Sequence, residues 1–247
     1  MVAFALIERP SPNFDGRPKG RAVDILLLHY TGLPRAADAL ARLCDPAAKV
    51  SAHYLIDEDG TTYRLVGEAK RAWHAGQAAW RGEADINGAS IGIELVNPGH
   101  AYGYRPFPPA QMAVLVALAR AILARHPVPP RNVLGHSDVA CARKEDPGEL
   151  FDWRALAKEG IGLWPHKPIV RGETGLALKA GDAGAAVRSL QEALSEYGYE
   201  VRVSGVFDEA TAAVVRAFQR HFRPERLDGI ADPETCQLAF QLATLAG

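Results

Sequence analysis

The chain is 247 residues long, 48% hydrophobic and 23% charged, and its formal net charge at pH 7 is −1. This composition supports a packed core, whereas the nearly balanced charge argues against binding to nucleic acid or an anionic membrane through a basic surface. The apolar runs fall short of the roughly 18 residues that a membrane-spanning helix needs. The three cysteines cannot all pair with one another and fit a reducing compartment better than a disulfide framework.

Strand and helix signals alternate through the first 165 residues, which predicts an α/β domain. The clearest strand signal is a run of four aliphatic residues that ends at His29. Asp59-Gly60, a turn pair between two short extended runs, predicts a hairpin. The predicted elements are, in chain order, an irregular lead-in over 11–20, a strand over 24–30, a helix over 35–44, hairpin strands over 53–57 and 61–66, a loop over 72–82, a strand over 90–96, a helix over 109–125 and a short helix over 151–157.

The pattern changes after residue 165, where prolines and glycines predict a linker over 166–175. Three amphipathic helical patterns follow: one over 182–197, one from Asp208 and one from Asp232. Asp208 and Asp232 suit helix N-caps. We therefore divide the chain into a domain over 1–165, the linker, and a small three-helix domain over 176–247.

Two histidines and an aspartate are the candidate metal ligands. His29 ends the first strand signal, and His136 follows a short apolar run ten residues before Asp146. Neutral imidazole and carboxylate both bind zinc, and three protein ligands leave a fourth position for water, as in catalytic zinc sites. Cys141 lies five residues from each of the last two ligands and could intrude as a soft ligand, but we favour a buried thiol.

Glu94 is the candidate general base. Alternation along the strand over 90–96 places Gly92, Glu94 and Val96 opposite an apolar face, and a carboxylate there is hard to explain by packing. The loop over 72–82 contains Trp73 and His74, which we expect to line a cleft and bind substrate. The plainer alternative is that its aromatic side chains fill the core.

Five ordered motifs in residues 11–157 resemble the zinc-dependent N-acetylmuramoyl-L-alanine amidases, which share the fold of the peptidoglycan-recognition proteins. The C-terminal region resembles the three-helix peptidoglycan-binding domain that is often appended to such enzymes. In one place, Cys141-Ala142, the chain departs from the Pro-Gly that the family often has. The five motifs are Leu28-His29-Tyr30-Thr31, Val50-Ser51-Ala52-His53-Tyr54, Trp73-His74-Ala75-Gly76, Ser90-Ile91-Gly92-Ile93-Glu94-Leu95 and Gly135-His136-Ser137-Asp138.

The resemblance implies a mixed β-sheet flanked by helices, with Zn²⁺ in a surface cleft. It assigns the zinc ligands to His29, His136 and Asp146, the catalytic carboxylate to Glu94, and a basic residue that stabilises the oxyanion to Lys144. The bond cut would join the lactyl group of N-acetylmuramic acid to the L-alanine of the stem peptide, so that peptidoglycan or its muropeptide fragments are the partners.

Three other functions compete with this hypothesis. A non-haem iron oxygenase is suggested by His136-Ser137-Asp138, but the distal histidine that it needs would have to be His166 or His221, in the linker or the helical domain. A binding-only recognition protein would lack a zinc ligand, and all three are present. The third alternative is a regulatory or scaffolding role carried by the helical domain.

Residues 1–10 do not resemble a signal peptide, because they lack a basic segment and their apolar stretch ends at Glu8 and Arg9. We therefore expect a cytoplasmic enzyme that acts on anhydro-muropeptides in cell-wall recycling. The appended domain favours the alternative, a periplasmic enzyme or a released phage lysin. The sequence leaves open the stem-peptide preference, the oligomeric state and the choice between intact sacculi and soluble fragments.

Overall fold

The computed structural model describes residues 5–166 and 177–246. Its contacts divide the chain into two compact units. The first runs through Gln77 and continues with Asp85–His136 and Asp146–Leu163. The second contains Ala78–Ala84, Ser137–Glu145 and the described residues from Trp164 onward.

The first unit is built on a mixed six-stranded sheet with the spatial order β1-β5-β4-β7-β3-β8. The predicted hairpin forms its antiparallel pair, β4 with β5, and the other strand pairs are parallel. The remaining strands, β2 and β6, form a separate antiparallel ribbon. The strands are β1 Leu6–Glu8, β2 Phe14–Gly16, β3 Ile25–Tyr30, β4 Tyr54–Ile56, β5 Thr62–Arg64, β6 Lys70–Ala72, β7 Ser90–Leu95 and β8 Val133–Gly135.

The central strand β3 lies between β7 and β8 and is parallel to both. Its four aliphatic side chains are at most 2% exposed, because a central parallel strand is covered on both faces. The predicted strand is therefore confirmed. Part of the predicted irregular lead-in is instead β2, whose pairing with β6 depends on a partner that is distant in sequence.

The helices of the first unit agree with the predictions for residues 35–44, 109–125 and 151–157. The buried residues of α4 include Gln111 and Val114, whereas Met112, Val116 and Leu123 are half-buried. Gln111 occupies a core position because its side-chain amide donates to the carbonyls of Ile56 and Val96, at 2.9 and 3.1 Å. The helices are α1 Ala36–Leu43, α2 Ile86–Ala89, α3 Gly99–Tyr102, α4 Pro109–Leu123, α5 His136–Val139, which runs into the second unit, and α6 Trp153–Lys158.

A half-buried carboxylate, Glu68, ties the residues after α4 to the hairpin. Its oxygens accept from the Tyr54 hydroxyl at 2.6 Å, from Arg125 at 2.6 Å and from His126 at 2.7 Å. Burial acts to raise the pKa of Glu68, but hydrogen bonds from Arg125, Tyr54 and His126 outweigh it and lower that pKa to about 2.

The second unit contains the three predicted C-terminal helices, α7 Ala185–Tyr197, α8 Glu209–Phe222 and α9 Pro233–Ala246. Asp208 caps α8 as expected, its side chain accepting from the Thr211 N–H at 2.8 Å. The helix α7 begins three residues later than predicted, with Gly184 at its N-cap. The carboxylate of Asp182 instead accepts from the Lys179 N–H.

The second unit also includes two segments that precede the predicted linker. Trp80 is 1% exposed, and its ring packs against Tyr197 and Tyr199, with centroid distances of 5.6 and 5.1 Å. The carboxylate of Asp138 accepts from the Tyr199 hydroxyl at 2.7 Å and from His221 Nδ1 at 2.7 Å. Trp80 is thus a core residue, as in the plainer interpretation of its loop.

The predicted domain boundaries stay a prediction. Apart from His166, the predicted linker over 166–175 lies outside the described residues. None of the described helices combines the length and the apolarity needed to cross a membrane.

Candidate metal centre and active site

Three ligand atoms of the predicted type meet inside the first unit. His29 Nδ1 lies 3.0 Å from His136 Nδ1 and 3.0 Å from Asp146 Oδ2, and the last two atoms are 3.1 Å apart. All three residues are buried. They form a group that could hold a metal ion, and within 5–166 and 177–246 it is the one such group of His, Cys, Asp and Glu.

The sheet brings these residues together. His29 is the penultimate residue of β3, and His136 directly follows the neighbouring parallel strand β8. Parallel strands display their carboxyl ends at one edge, which is where open α/β sheets bind ligands. Asp146 returns to the first unit at the end of the segment Ser137–Glu145.

The protonation pattern around His136 fits a cation. Its Nε2 lies 2.8 Å from the carbonyl oxygen of Ala75. A carbonyl only accepts, so Nε2 carries the hydrogen and Nδ1 presents a lone pair to the other two ligand atoms. Separations of 3.0–3.1 Å are close to the spacing of about 3.3 Å that a tetrahedral zinc ion with bonds of 2.0–2.1 Å requires.

Asp146 is held in its anionic form. Burial acts to raise the pKa of its carboxyl group, but the interactions with His136 and then with His29 outweigh burial and lower that pKa. A carboxylate and two neutral imidazoles are ordinary ligands of zinc.

Glu94 lies beside the predicted ligand His29 in the sheet. In the parallel pairing of β3 and β7 it is the register partner of His29. Register partners project from the same face of a sheet, so the half-buried Glu94 is on the face of His29. Its role as general base stays a prediction.

The two predicted substrate-binding residues have different surroundings. Trp73 is half-buried, and its backbone N–H donates to Ser51 Oγ at 2.9 Å. His74 is 9% exposed, and its Nδ1 lies 3.0 Å from His29 Nε2. Burial, and then the neighbouring imidazoles, lower the pKa of His74 well below its usual value, so its ring is neutral.

Two polar residues, Asn87 and Ser90, also contact the dipeptide His74–Ala75. The motifs do not mark either of them as catalytic. Asn87 Oδ1 accepts from the N–H groups of His74 and Ala75, at 3.0 and 2.9 Å. Ser90 Oγ lies 3.3 Å from His74 Nε2. Neither residue type attracts notice in a search for metal ligands or acid–base groups, since only the folded chain shows what they contact.

Lys144 and Cys141 belong to the second unit. The Lys144 N–H donates to the Ala140 carbonyl at 3.0 Å, and the role predicted for its side chain stays a prediction. The Cys141 thiol donates to the carbonyl of Asp138, and burial, followed by Asp138, raises its pKa to about 12. Cys141 is thus a partly buried thiol outside the ligand group, as favoured above.

The carboxylate of Asp138 is also outside the ligand group, because it accepts from Tyr199 and His221. This arrangement removes the basis for the iron-oxygenase hypothesis, which needs Asp138 as a ligand beside His136.

Comparison with known proteins decides the family. The family described as N-acetylmuramoyl-L-alanine amidase matches residues 19–149. The N-acetylmuramoyl-L-alanine amidase AmiD of Escherichia coli is 39% identical over 250 residues, which cover 95% of this chain and 88% of AmiD. The chain belongs to the N-acetylmuramoyl-L-alanine amidase family. It is therefore an amidase, as the motifs predict.

Solved structures of this family agree in fold. A complex of E. coli AmiD with the substrate anhydro-N-acetylmuramic acid-L-Ala-D-gamma-Glu-L-Lys has a TM-score of 0.79 at 38% identity and covers 92% of both chains. AmpDh3 from Pseudomonas aeruginosa has a TM-score of 0.75 at 32% identity and covers 99% of both chains. Residues 183–238 match a peptidoglycan binding domain family, within the predicted three-helix domain.

Proposed function

We propose that this amidase uses zinc, held by His29, His136 and Asp146, to cut the amide bond between N-acetylmuramic or anhydro-N-acetylmuramic acid and the L-alanine of the stem peptide. The observation that carries the proposal is the convergence of two imidazole nitrogens and a carboxylate oxygen within 3.1 Å of one another. Three protein ligands are typical of a catalytic zinc site.

Two further residues complete the chemistry. When bound, zinc lowers the pKa of its water towards about 7 and polarises the amide carbonyl. Glu94 accepts a proton from the attacking water and passes it to the departing amine of L-alanine. Lys144 stabilises the negative charge that develops on the carbonyl oxygen of the substrate.

The substrate form follows from the relatives. AmiD has been solved with an anhydro-muramyl tripeptide as its substrate, and its chain is matched over 92% of its length. We assign this chain the same class of substrate, in cell-wall turnover and recycling. The region over 176–247 would add a second contact to peptidoglycan, which raises the effective concentration of a polymeric substrate more than that of a small one.

The test is to incubate the purified protein with intact sacculi and with anhydro-muropeptides side by side, and to measure the free stem peptide released. We expect release from anhydro-muropeptides by the zinc-loaded protein, and release that is slower by about two to four orders of magnitude by Glu94→Gln. If zinc-loaded protein released no stem peptide from either substrate, the proposal would be wrong. Fractionation of native cells tests the prediction that the enzyme acts in the cytosol and not in the periplasm.

A further inference from the structure

Each of the two metal-ligand histidines contacts one member of the same dipeptide, His74–Ala75. His29 and His136 direct Nδ1 towards the metal centre and Nε2 towards the dipeptide His74–Ala75. The Nε2 of His29 lies 3.0 Å from His74 Nδ1, and the Nε2 of His136 lies 2.8 Å from the Ala75 carbonyl oxygen. Metal-binding imidazoles commonly donate their second N–H in this way, which fixes the tautomer and the orientation of the ring.

The hydrogen positions can be assigned from Ser90 outward. Its hydroxyl lies 2.6 Å from the Ile86 carbonyl, which can only accept, so Ser90 Oγ must accept from His74 Nε2. When His29 binds a metal through Nδ1, its ring hydrogen is on Nε2, which donates to His74 Nδ1. His29 is thereby held as the tautomer that His136 also adopts, with the Nδ1 lone pair directed to the metal.

One side chain holds this dipeptide in place. Asn87 is 8% exposed, and its Oδ1 accepts from the backbone N–H groups of both His74 and Ala75. Asn87 belongs to the short helix α2, which Asp85 caps by accepting from the Gly88 N–H at 3.1 Å. A single amide oxygen thus fixes the backbone that supplies hydrogen-bond acceptors to both ligands.

We propose that His74 and Asn87 are positioning residues of the metal centre: Asn87 fixes the His74–Ala75 backbone, and this dipeptide orients His29 and His136 and sets their tautomers. This inference rests on the proposed function, because it takes the bound ion to be zinc. It gives His74 a role in holding the metal that differs from substrate binding. Loss of such a partner typically weakens metal binding by about 10–100-fold.

The experiment measures the zinc dissociation constant of the full chain by competition with a chromophoric chelator. We expect His74→Phe and Asn87→Leu each to weaken zinc binding by about 10–100-fold. His74→Asn places a carbonyl oxygen near the position of Nδ1 and should recover much of the affinity. The absorption spectrum of the cobalt-substituted protein provides a second readout, since a misdirected imidazole changes the ligand field.

Asn132→Leu is the matched control. Asn132 is 7% exposed and donates to the Asp24 carbonyl at 2.8 Å, at the end of β3 opposite His29. It should lose a buried hydrogen bond without a change in zinc affinity. Wild-type zinc affinity in both His74→Phe and Asn87→Leu, or equal weakening in the control, would overturn the inference. Failure of the wild-type protein to bind zinc would instead reject the proposed function, and the inference with it.

Discussion

Gly92→Ala is the sharpest probe of how the site is packed. A Cβ atom at Gly92 would lie 2.6 Å from His74 Nδ1 and 2.7 Å from its Cγ and Cε1. Gly92 lies in β7 and has no left-handed φ, so the His74 ring is the obstacle to a methyl group and the backbone is not. The ring is buried between Ser90 and His29 and has little room to move.

The expected effects follow from this geometry. Overpacking of a buried site costs about 1–3 kcal/mol, and in a protein of this size each kcal/mol lowers the Tm by roughly 2–4 °C. Because displacement of His74 also removes the acceptor for His29 Nε2, we expect zinc affinity to fall by about 10–100-fold. Thermal unfolding of metal-free protein and chelator competition measure the two effects separately.

Gly16→Ala is the control, because Gly16 also lies in a strand, β2, and its added Cβ would meet nothing within 4 Å. That variant should keep the wild-type Tm and zinc affinity. A Gly92→Ala protein that unfolds and binds zinc like the wild type would refute the packing argument.

The other predictions concern the metal, the base, pH and the second unit. His136→Ala should abolish both zinc binding, measured by elemental analysis, and amidase activity. Activity in metal-stripped wild-type protein would contradict the role of the metal. Glu94→Gln should lower the turnover rate by about two to four orders of magnitude with zinc retained; near-normal turnover would require another base. The pKa of Glu68 is depressed to about 2 from an unfolded value of about 4.3, so its stabilising effect is complete above pH 4.3 and is lost as pH falls through 2. Glu68→Gln should therefore reduce the free energy of unfolding at pH 7, and this free energy should fall less between pH 5 and pH 2 than in the wild type. The same pH dependence of unfolding in both proteins would contradict this prediction. Tyr199→Phe removes a hydrogen bond to the buried Asp138 carboxylate and should cost about 1.5–3 kcal/mol in urea unfolding, and a cost below about 0.5 kcal/mol would show that this bond is weak.

Truncation after Pro168, which removes the C-terminal helices, tests whether these helices form a separable module. In the structure, the helical unit provides Tyr199 and His221 to Asp138, which lies in the segment between His136 and Asp146. We expect truncation to lower activity on soluble muropeptides and on sacculi alike, and a shortened enzyme fully active on soluble fragments would support a separable module.

Local sequence determined several of the elements of this protein, and its motifs indicated the chemical class. The aliphatic run before His29 is a buried strand, Asp59-Gly60 turns a hairpin, and Asp208 caps a helix, because each depends on neighbours within a few residues. The candidate ligand types were also evident, since imidazole and carboxylate are good zinc ligands.

Tertiary structure alone decided which groups surround those ligands. Asn87 acts through its amide oxygen, Ala75 through its backbone carbonyl and Ser90 through its hydroxyl, and these groups have no distinctive sequence pattern. Trp80 is likewise buried against Tyr199, and Asp138 accepts a hydrogen bond from the same tyrosine. Tyr199 lies more than 60 residues along the chain from Asp138. Periodicity reports which face of an element is apolar, but the partner that covers this face is chosen by packing between segments remote in sequence.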